Sequence, residues 1–311
     1  MTAPESALQL AEDATPRAQG PNAYTITLPA NQSVPFVFSS PHSGRHYPDS
    51  FIEASVLDQL TLRASEDCFV EQLFSAVPSL GAPLVQAEYA RAFLDVNREA
   101  WELDPKMFTD SMPDYVNVRS GRVAAGLGTI ARVVASGTNI YNNPMPFAEA
   151  VHRVETVYKP FHAAVDGLVT KTQEKFGSSV LIDCHSMPSI GTSFGDMPIR
   201  SKGATADFIL GDRRGQSCAP ELIAAVEEIL QSYNYRVVRN DPYSGGYNTR
   251  QYCDRSKNQH TLQIEINRAL YVNEETLEKI EHFEVLKDQL TEMARTLMGT
   301  PAELFVASAS E

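Results

Sequence analysis

The most informative pattern in the chain is an apolar run that gives way abruptly to polar residues, and it occurs twice. Residues 180–188 read VLIDCHSMP, and residues 36–45 read FVFSSPHSGR. Such runs are typical of buried strands that end in site-forming loops, and open α/β sheets bind ligands at the carboxyl ends of their strands. Taken alone, either His185 or His42 could equally be a satisfied core histidine. Two strand ends of the same design favour a shared site.

The rest of the chain alternates strand-like and helix-like segments. Strands are predicted over 35–40, 83–88, 92–96, 129–134, 179–184, 206–210, 235–238 and 260–266. Helices are predicted from the N-cap Ser65 to Gly81, over 147–176 with a kink at Pro160, over 220–230 and over 274–298. A glycine-hinged loop is predicted over 245–250. This alternation predicts a three-layer α/β fold. We expect residues 1–20 to form a flexible arm and residues 21–311 a single catalytic α/β domain.

Composition and charge narrow the class of protein. The 311 residues are 43% hydrophobic, which is ample for a packed core, and 39 acidic against 26 basic residues give a net charge of −13. That balance argues against nucleic acid and anionic membranes as partners, since both require a basic face. No apolar run is long enough to span a membrane, and the acidic start lacks the features of a signal peptide. The four cysteines lack any C-x-x-C spacing, so we expect reduced thiols in a cytoplasmic protein.

The two histidines suggest a metal centre. Hydrolytic zinc sites combine His and carboxylate ligands and leave one coordination position open for water. His42 and His185 are the nitrogen ligands we would choose, and Glu66 and Asp67 offer adjacent carboxylates in the first turn of a predicted helix. Both acids remain candidates. The alternative is that they only cap the helix.

Glu265 is the next candidate, because it lies between two isoleucines in a strand-like segment. Burying a carboxylate there is costly unless a charged partner holds it. A general base that takes a proton from water and then protonates a leaving amine would explain its position. The alternative is a structural ion pair with Arg268 or another arginine.

Asn97 and Arg98 follow the predicted strand that ends in Asp95, and together they could grip a carboxylate. A surface pair with Glu99 or Glu102 is the simpler alternative.

Further arginines could bind anions. Arg250 lies on the glycine-rich loop beside Tyr247, and Arg132 follows a strand-like segment. Two binding arginines would suit a dicarboxylate substrate. We also count Arg132 as a catalytic candidate, because an arginine can stabilise a tetrahedral oxyanion. His162 is expected on a helix surface.

Five separated motifs, in this order, resemble those of the N-formylglutamate amidohydrolase family. The resemblance spans about residues 35–290, and its motifs are Ser40-Pro41-His42-Ser43-Gly44-Arg45, Ser65-Glu66-Asp67, Asp95-Val96-Asn97-Arg98, Asp183-Cys184-His185-Ser186-Met187-Pro188 and Glu265-Ile266-Asn267-Arg268. Any one of them would be a weak signal. The family belongs with the zinc carboxypeptidase and aspartoacylase hydrolases. The resemblance therefore implies their phosphorylase/hydrolase-like fold, a mixed central sheet flanked by helices with zinc at the carboxyl ends of central strands.

The resemblance also implies roles for the motif residues. His42 and His185 match zinc ligands, Asp67 is preferred over Glu66 as the acidic ligand, and Glu265 matches the general base. Asn97 and Arg98 match the pair that holds the substrate carboxylate. One departure stands out, because the wider superfamily has a glutamate ligand three residues after the first histidine, where this chain has Arg45.

The expected function is metal-dependent hydrolysis of an N-formyl amino acid, foremost N-formyl-L-glutamate to formate and glutamate, a reaction that the resemblance connects with histidine catabolism. Zinc is the expected metal, although another divalent transition metal could occupy such ligands. One rival is the same chemistry on another N-acyl amino acid or a small peptide. A rival of another class is a non-catalytic protein that binds acidic ligands. The only expected partner is a small molecule, and the oligomeric state is left open.

Overall fold

The computed structural model describes residues 21–134, 137–189 and 206–300. Its centre is a seven-stranded mixed sheet in the order β1-β3-β2-β4-β7-β5-β6. The strands are β1 (Tyr24–Thr27), β2 (Phe36–Ser40), β3 (Leu84–Ala87), β4 (Ser179–Met187), β5 (Phe208–Gly211), β6 (Val237–Arg239) and β7 (Gln259–Asn267). Strands β3, β2, β4 and β7 run parallel, whereas β1 pairs antiparallel with β3 and β5 pairs antiparallel with β7.

Helices cover both faces of this sheet. They are α1 (Asp49–Ala54), α2 (Gln59–Arg63), α3 (Val70–Leu73), α4 (Gly121–Ala124), α5 (Phe147–Arg153), α6 (Lys159–Phe176), α7 (Pro220–Ser232), α8 (Tyr247–Gln251) and α9 (His282–Met298). A two-stranded hairpin, β8 (Val272–Asn273) with β9 (Glu278–Lys279), precedes α9. The predicted three-layer α/β fold with a mixed sheet is confirmed. No helix within the described ranges is long and apolar enough to cross a membrane.

The alternation of side chains along the two central strands separates an apolar face from the face that carries the site. Ile182 of β4 and Ile264 of β7 belong to one core, which also contains residues of α7 and α9. Leu181 belongs to a second core, which contains residues of α5, α6 and the 90–134 segment. Because successive residues point to opposite faces, Asp183 and His185 share the face of Leu181. The polar residues at the carboxyl ends of these strands therefore lie beneath the helices and loops that form the second core.

Most predicted elements are present, with shifted ends, but three strand or helix predictions are wrong, and the predicted loop over 245–250 becomes helix α8 from Tyr247 onward. Residues 92–96 form turns, because the N–H of Phe93 donates to the carbonyl of Ala90 at 2.9 Å. Residues 129–134 form only an isolated bridge at Val133. The helix expected from Ser65 is reduced to the single turn α3. In the two failed strands the apolar side chains are buried in the second core without a regular element of their own, whereas those of 70–77 pack in the first core.

Two helical predictions hold in modified form. The kink expected at Pro160 appears as a π-helical turn over Val154–Tyr158, between α5 and α6. The last helix begins at His282, because residues 274–279 belong to the β8–β9 hairpin. The expected arm, residues 1–20, lies outside the described residues, and the assignment of 21–311 to one catalytic domain stays a prediction.

Candidate metal centre and active site

Three buried side chains from distant parts of the chain converge on one point. His42 lies in the loop after β2, Asp67 in the turn before α3, and His185 near the carboxyl end of β4. Nδ1 of His185 lies 3.1 Å from Nδ1 of His42 and 3.0 Å from Oδ2 of Asp67. Nδ1 of His42 lies 3.4 Å from that same Oδ2. The three atoms form a nearly equilateral triangle.

This triangle has the size that a zinc ion requires. Four-coordinate zinc with bonds of about 2.0–2.1 Å separates its ligand atoms by about 3.3 Å, close to the three measured edges. The chemistry also fits, since two imidazoles and one carboxylate leave the fourth position open, as in catalytic zinc sites. The described residues thus provide one compact group of metal ligands, with all three members buried.

Each imidazole is oriented by a carboxylate behind it. Nε2 of His42 lies 2.7 Å from Oδ1 of Asp95, and Nε2 of His185 lies 2.9 Å from Oδ2 of Asp183. A carboxylate only accepts, so each Nε2–H donates, and each imidazole in its neutral form keeps the lone pair of Nδ1 toward the centre. Metal-binding histidines commonly have such outer partners. With both rings neutral, three electron-pair donors face one another at a place where a cation would relieve their repulsion.

The charges around Asp67 favour its ionised form. Burial alone would raise its pKa, but hydrogen bonds from His185 and His42 and the charge of Arg91 hold that pKa well below its usual range. Oδ1 of Asp67, on the side away from the triangle, accepts from Nη2 of Arg268 at 3.1 Å. Burial opposes the charged form of His185, yet Asp183 and Asp67 raise its pKa well above the usual value. The site is therefore built to stabilise positive charge.

Glu66, the alternative carboxylate, lies outside this group. Its Oε1 accepts from the hydroxyl of Tyr47 at 2.7 Å and from Nε of Arg63 at 3.2 Å, and the thiol of Cys68 donates to its Oε2. These contacts satisfy a fully buried carboxylate and direct it away from the histidines. Adjacent residues in this turn point in opposite directions, so the geometry favours Asp67 as the ligand.

The backbone fixes the loop of His42 against the turn of Asp67. The N–H of Asp67 donates to the carbonyl of His42 at 3.0 Å, and Phe69 then adopts φ of 62°, so the chain turns before α3 begins. Gly44 is required by close approach, because a Cβ there would lie 2.3 Å from the carbonyl oxygen of Tyr89. These contacts hold the loop after β2, which is rich in Pro, Ser and Gly, in a defined position.

Glu265 lies directly beside His185, its partner in the parallel register of β4 and β7. Nε2 of Gln263 donates to its Oε1 at 2.7 Å. Burial raises the pKa of Glu265 to about 7, with the charge of Asp67 adding to the rise and His185 and Arg91 opposing it. A carboxyl group that titrates near neutral pH is well suited to both accept and donate a proton.

These groups line a cavity of about 340 Å³. Its charged lining consists of four arginines and three carboxylates: Arg91, Arg98, Arg122, Arg268, Asp67, Asp95 and Glu265. With neutral histidines this lining is already positive, and a bound divalent cation would make it more so. In a chain of net charge −13, such a cavity indicates an anionic ligand.

Asn97 and Arg98 lie on the wall of this cavity, in a turn held from behind by α6. Oδ1 of Asn97 accepts from the N–H of Asn248 at 2.9 Å, and Nε of Arg98 donates to the carbonyl of Leu127 at 3.0 Å. The hydroxyl of Tyr158, at the end of the π-helical turn, donates to the carbonyl of Arg98 at 2.7 Å. The turn is thereby fixed in place.

His162 is half-buried in α6, where its ring makes hydrogen bonds to this region and does not face solvent on the helix surface as expected. Its Nε2 donates to the carbonyl of Val96 at 2.9 Å, and its Nδ1 lies 2.6 Å from the hydroxyl of Tyr252. Burial lowers the pKa of His162 to about 4. The neutral ring therefore serves as a structural support for the segment that carries Asn97.

Three residues predicted to act in the site point elsewhere. Nε of Arg132 donates to Oδ2 of Asp104 at 2.8 Å, and Arg250 forms an ion pair with Glu99 on the surface. The ring of Tyr247 lies under the guanidinium of Arg250, 5.4 Å from its centre. None of the three lines the cavity formed by the described residues. The two arginines reach carboxylates that spacing along the chain does not reveal, the buried Asp104 and the partly exposed Glu99.

The sequence profile of the family described as N-formylglutamate amidohydrolase matches residues 34–272, well over half of the chain. The chain belongs to this family. The matched range begins just before β2 and ends at β8, so it includes all three members of the His-Asp-His group as well as Glu265.

Relatives within this family cover most of the length of the chain. The N-formylglutamate deformylases of Pseudomonas putida and Pseudomonas aeruginosa are 28% and 27% identical to it, over 78% of this chain and 83% and 84% of theirs. The crystal structure of N-formylglutamate amidohydrolase from Ralstonia eutropha JMP134 is 35% identical, with a TM-score of 0.83 over 91% of this chain and 98% of that one. A gene product of Agrobacterium tumefaciens shares the fold, with a TM-score of 0.63 at 16% identity.

In this family member, sequence reasoning missed two cavity arginines and misjudged a third. Arg268 was considered only as a partner of Glu265, whereas it pairs with Asp67. Arg91 lies in a turn and Arg122 in the short helix α4, and neither belongs to a motif that would have identified it from the sequence. Only the way the covering layer folds over the sheet brings them to the cavity.

Proposed function

We propose that the protein hydrolyses N-formyl-L-glutamate to formate and L-glutamate. The observation that carries this proposal is the His42–Asp67–His185 triangle beside Glu265 in a cavity with four arginines. Kinship supports the substrate, because both named Pseudomonas relatives are N-formylglutamate deformylases. The dianionic substrate matches the positive lining of the cavity.

A divalent metal ion, foremost zinc, would be held by Nδ1 of His42, Nδ1 of His185 and Oδ2 of Asp67. A cation bound there supplies Lewis acidity, which polarises a carbonyl group and makes water more acidic. Asp95 and Asp183 keep the two imidazoles in the tautomer that binds metal. Arg268 and Arg91 stabilise the charge of Asp67 from its other side.

Glu265 performs the proton transfers in this proposal. Its carboxylate takes a proton from the attacking water as the water oxygen bonds to the formyl carbon. The same carboxyl then gives a proton to the amide nitrogen as the C–N bond breaks, which leaves formate and the free amine of glutamate. A pKa raised to about 7 allows one group to act first as base and then as acid.

Asn97 and Arg98 would hold the α-carboxylate of the substrate. Arg98 keeps donors beyond those used on the carbonyls of Asn97 and Leu127, and a guanidinium can bind a carboxylate through two parallel hydrogen bonds. Fixing the carboxylate beside the formyl group orients the amide bond, which can remove several kcal/mol of the barrier. The partner implied is a small molecule. We also infer a cytoplasmic location, supported by four free thiols.

The test combines metal analysis with formate release. Purified protein should contain about one equivalent of metal and release formate from N-formylglutamate, and a strong chelator should abolish this activity until zinc is restored. Little activity is expected on N-acetylglutamate. Rapid turnover of N-acetylglutamate would contradict the proposed specificity for the formyl group. If metal-loaded protein bound N-formylglutamate without turning it over, the enzyme proposal would be wrong. His185→Ala should lose both metal and activity.

A further inference from the structure

The four cavity arginines differ in what neutralises them. Nη2 of Arg91 lies 2.9 Å from Oδ2 of Asp95, and Nη2 of Arg98 lies 3.5 Å from the same oxygen. Arg268 pairs with Asp67 at 3.1 Å. By contrast, the guanidinium of Arg122 has no hydrogen bond or ion pair with any residue in the described ranges, although it lines the cavity. Its charge helps to lower the pKa of Glu99, but no carboxylate in the described part of the chain forms an ion pair with it.

The backbone places Arg122 on the same wall as Arg98. Leu127 connects the two, since its N–H donates to the carbonyl of Arg122 at 2.8 Å and its carbonyl accepts from Nε of Arg98 at 3.0 Å. Gly126, with φ of 76°, makes the tight turn after α4 that allows this connection. Both arginines are therefore connected through hydrogen bonds to the same residue.

The two charges also influence each other. Burial lowers the pKa of Arg98 to about 10 against the opposing effect of Asp95, and the positive charge of Arg122 lowers it further. Two guanidinium groups held within electrostatic reach repel each other unless an anion lies between or beside them. Asp95 offsets part of the charge of Arg98, whereas no carboxylate among the described residues pairs with Arg122, so Arg122 can bind an additional anion.

We propose that Arg122 binds the side-chain carboxylate of the substrate and thereby selects an acidic N-formyl amino acid. This inference rests on the proposed function and assigns its specificity. If Asn97 and Arg98 hold the α-carboxylate, the second carboxylate of N-formylglutamate needs a second cation on the same wall. Arg132 and Arg250 cannot serve, because they pair with Asp104 and Glu99 outside the cavity.

The test compares N-formyl-L-glutamate with N-formyl-L-glutamine, which has the same shape but a neutral carboxamide at the distal position. Formate release gives kcat/KM for each substrate with the unsubstituted protein, Arg122→Met, Arg122→Lys and the control Arg119→Met. Arg119 is exposed and lies outside the cavity, so its substitution removes the same charge three residues away. Thermal melting monitored by circular dichroism shows that each variant is folded.

We expect the unsubstituted protein and Arg119→Met to prefer the acid by on the order of 10- to 100-fold, because a charge-assisted hydrogen bond exists only with the acid. Arg122→Met should lose this preference because kcat/KM falls for N-formyl-L-glutamate and stays the same for N-formyl-L-glutamine. Arg122→Lys should retain part of the preference. A preference unchanged in Arg122→Met would overturn the inference, as would an equal loss on both substrates. If the unsubstituted protein released formate from neither substrate, the proposed function itself would fail, a result that no property of Arg122 can produce.

Discussion

Glu265→Gln removes a proton acceptor while changing the shape of the site very little. The substituted amide keeps the length and planarity of the carboxylate, and its oxygen can still accept the 2.7 Å hydrogen bond from Gln263. Glu265 is not one of the three converging ligand atoms, so the His-Asp-His group should keep its metal. The variant therefore separates proton transfer from metal binding.

The expected loss follows from the role assigned to Glu265. General acid–base catalysis typically contributes 10²- to 10⁴-fold, so Glu265→Gln should raise the barrier by about 3–5 kcal/mol. The pH profile gives a second magnitude. Because a protonated carboxyl cannot accept a proton, kcat/KM of the unsubstituted protein should fall as pH falls through the pKa of Glu265, about 7 without metal. A bound cation favours the carboxylate, so the acid limb should lie at or below pH 7.

The assay is formate release by metal-loaded protein, combined with metal analysis of each variant. Glu71→Gln is the matched control, since Glu71 is also a buried carboxyl whose pKa is raised by burial, but it pairs with Arg45 outside the cavity. That control should keep the rate. Full activity of metal-loaded Glu265→Gln would refute the general-base role, and loss of the metal from this variant would make Glu265 a ligand.

Three further predictions follow from the surroundings of the site. Asp183→Asn should weaken metal binding by about 10- to 100-fold, because His185 loses its orienting acceptor, and competition with a chromogenic chelator measures this; unchanged affinity would contradict it. Glu66→Gln should lower the free energy of unfolding by about 1–3 kcal/mol without changing the metal content, as denaturant titration and metal analysis would show; loss of metal would instead restore Glu66 as a ligand in place of Asp67. Since the pKa of His162 is about 4 in the folded protein and about 6.5 when unfolded, the unfolded state binds more protons between these values. Stability should fall by up to about 3 kcal/mol as pH falls through that window, and His162→Gln should flatten the decline in denaturant titrations at pH 7 and 5; an equally steep decline in the variant would refute this.

The parts of the structure that sequence reasoning predicted are those governed by local pattern. An apolar run such as 180–182 predicts a buried strand whatever surrounds it, and the polar residues after it predict the edge at which ligands bind. The structure accordingly pairs β2 and β4 in parallel and brings His42 and His185 within 3.1 Å. Glu265 lies opposite His185 because β7 continues the same parallel arrangement.

The errors concern features that depend on tertiary packing. Phe93 and Leu94 lie in turns but are buried in the second core. Their apolar sequence is therefore the same as that of a buried strand. Arginine side chains are long, and the position of the guanidinium group depends on which carboxylate lies within reach in the folded protein. Arg132 therefore turns to Asp104, while Arg122 enters the cavity from a short helix that no motif indicates.

A cationic cavity inside an acidic chain also affects how a dianionic ligand arrives. At distances beyond the Debye length, about 10 Å in 0.1 M salt, charges are largely screened, whereas in dilute buffer the net charge of −13 repels the approaching molecule. Close to the entrance of the cavity, the attraction of the ligand by the cavity arginines exceeds the repulsion by the net charge. Moderate ionic strength should consequently increase the association rate of the ligand. Only higher salt concentrations should weaken its binding to the arginines.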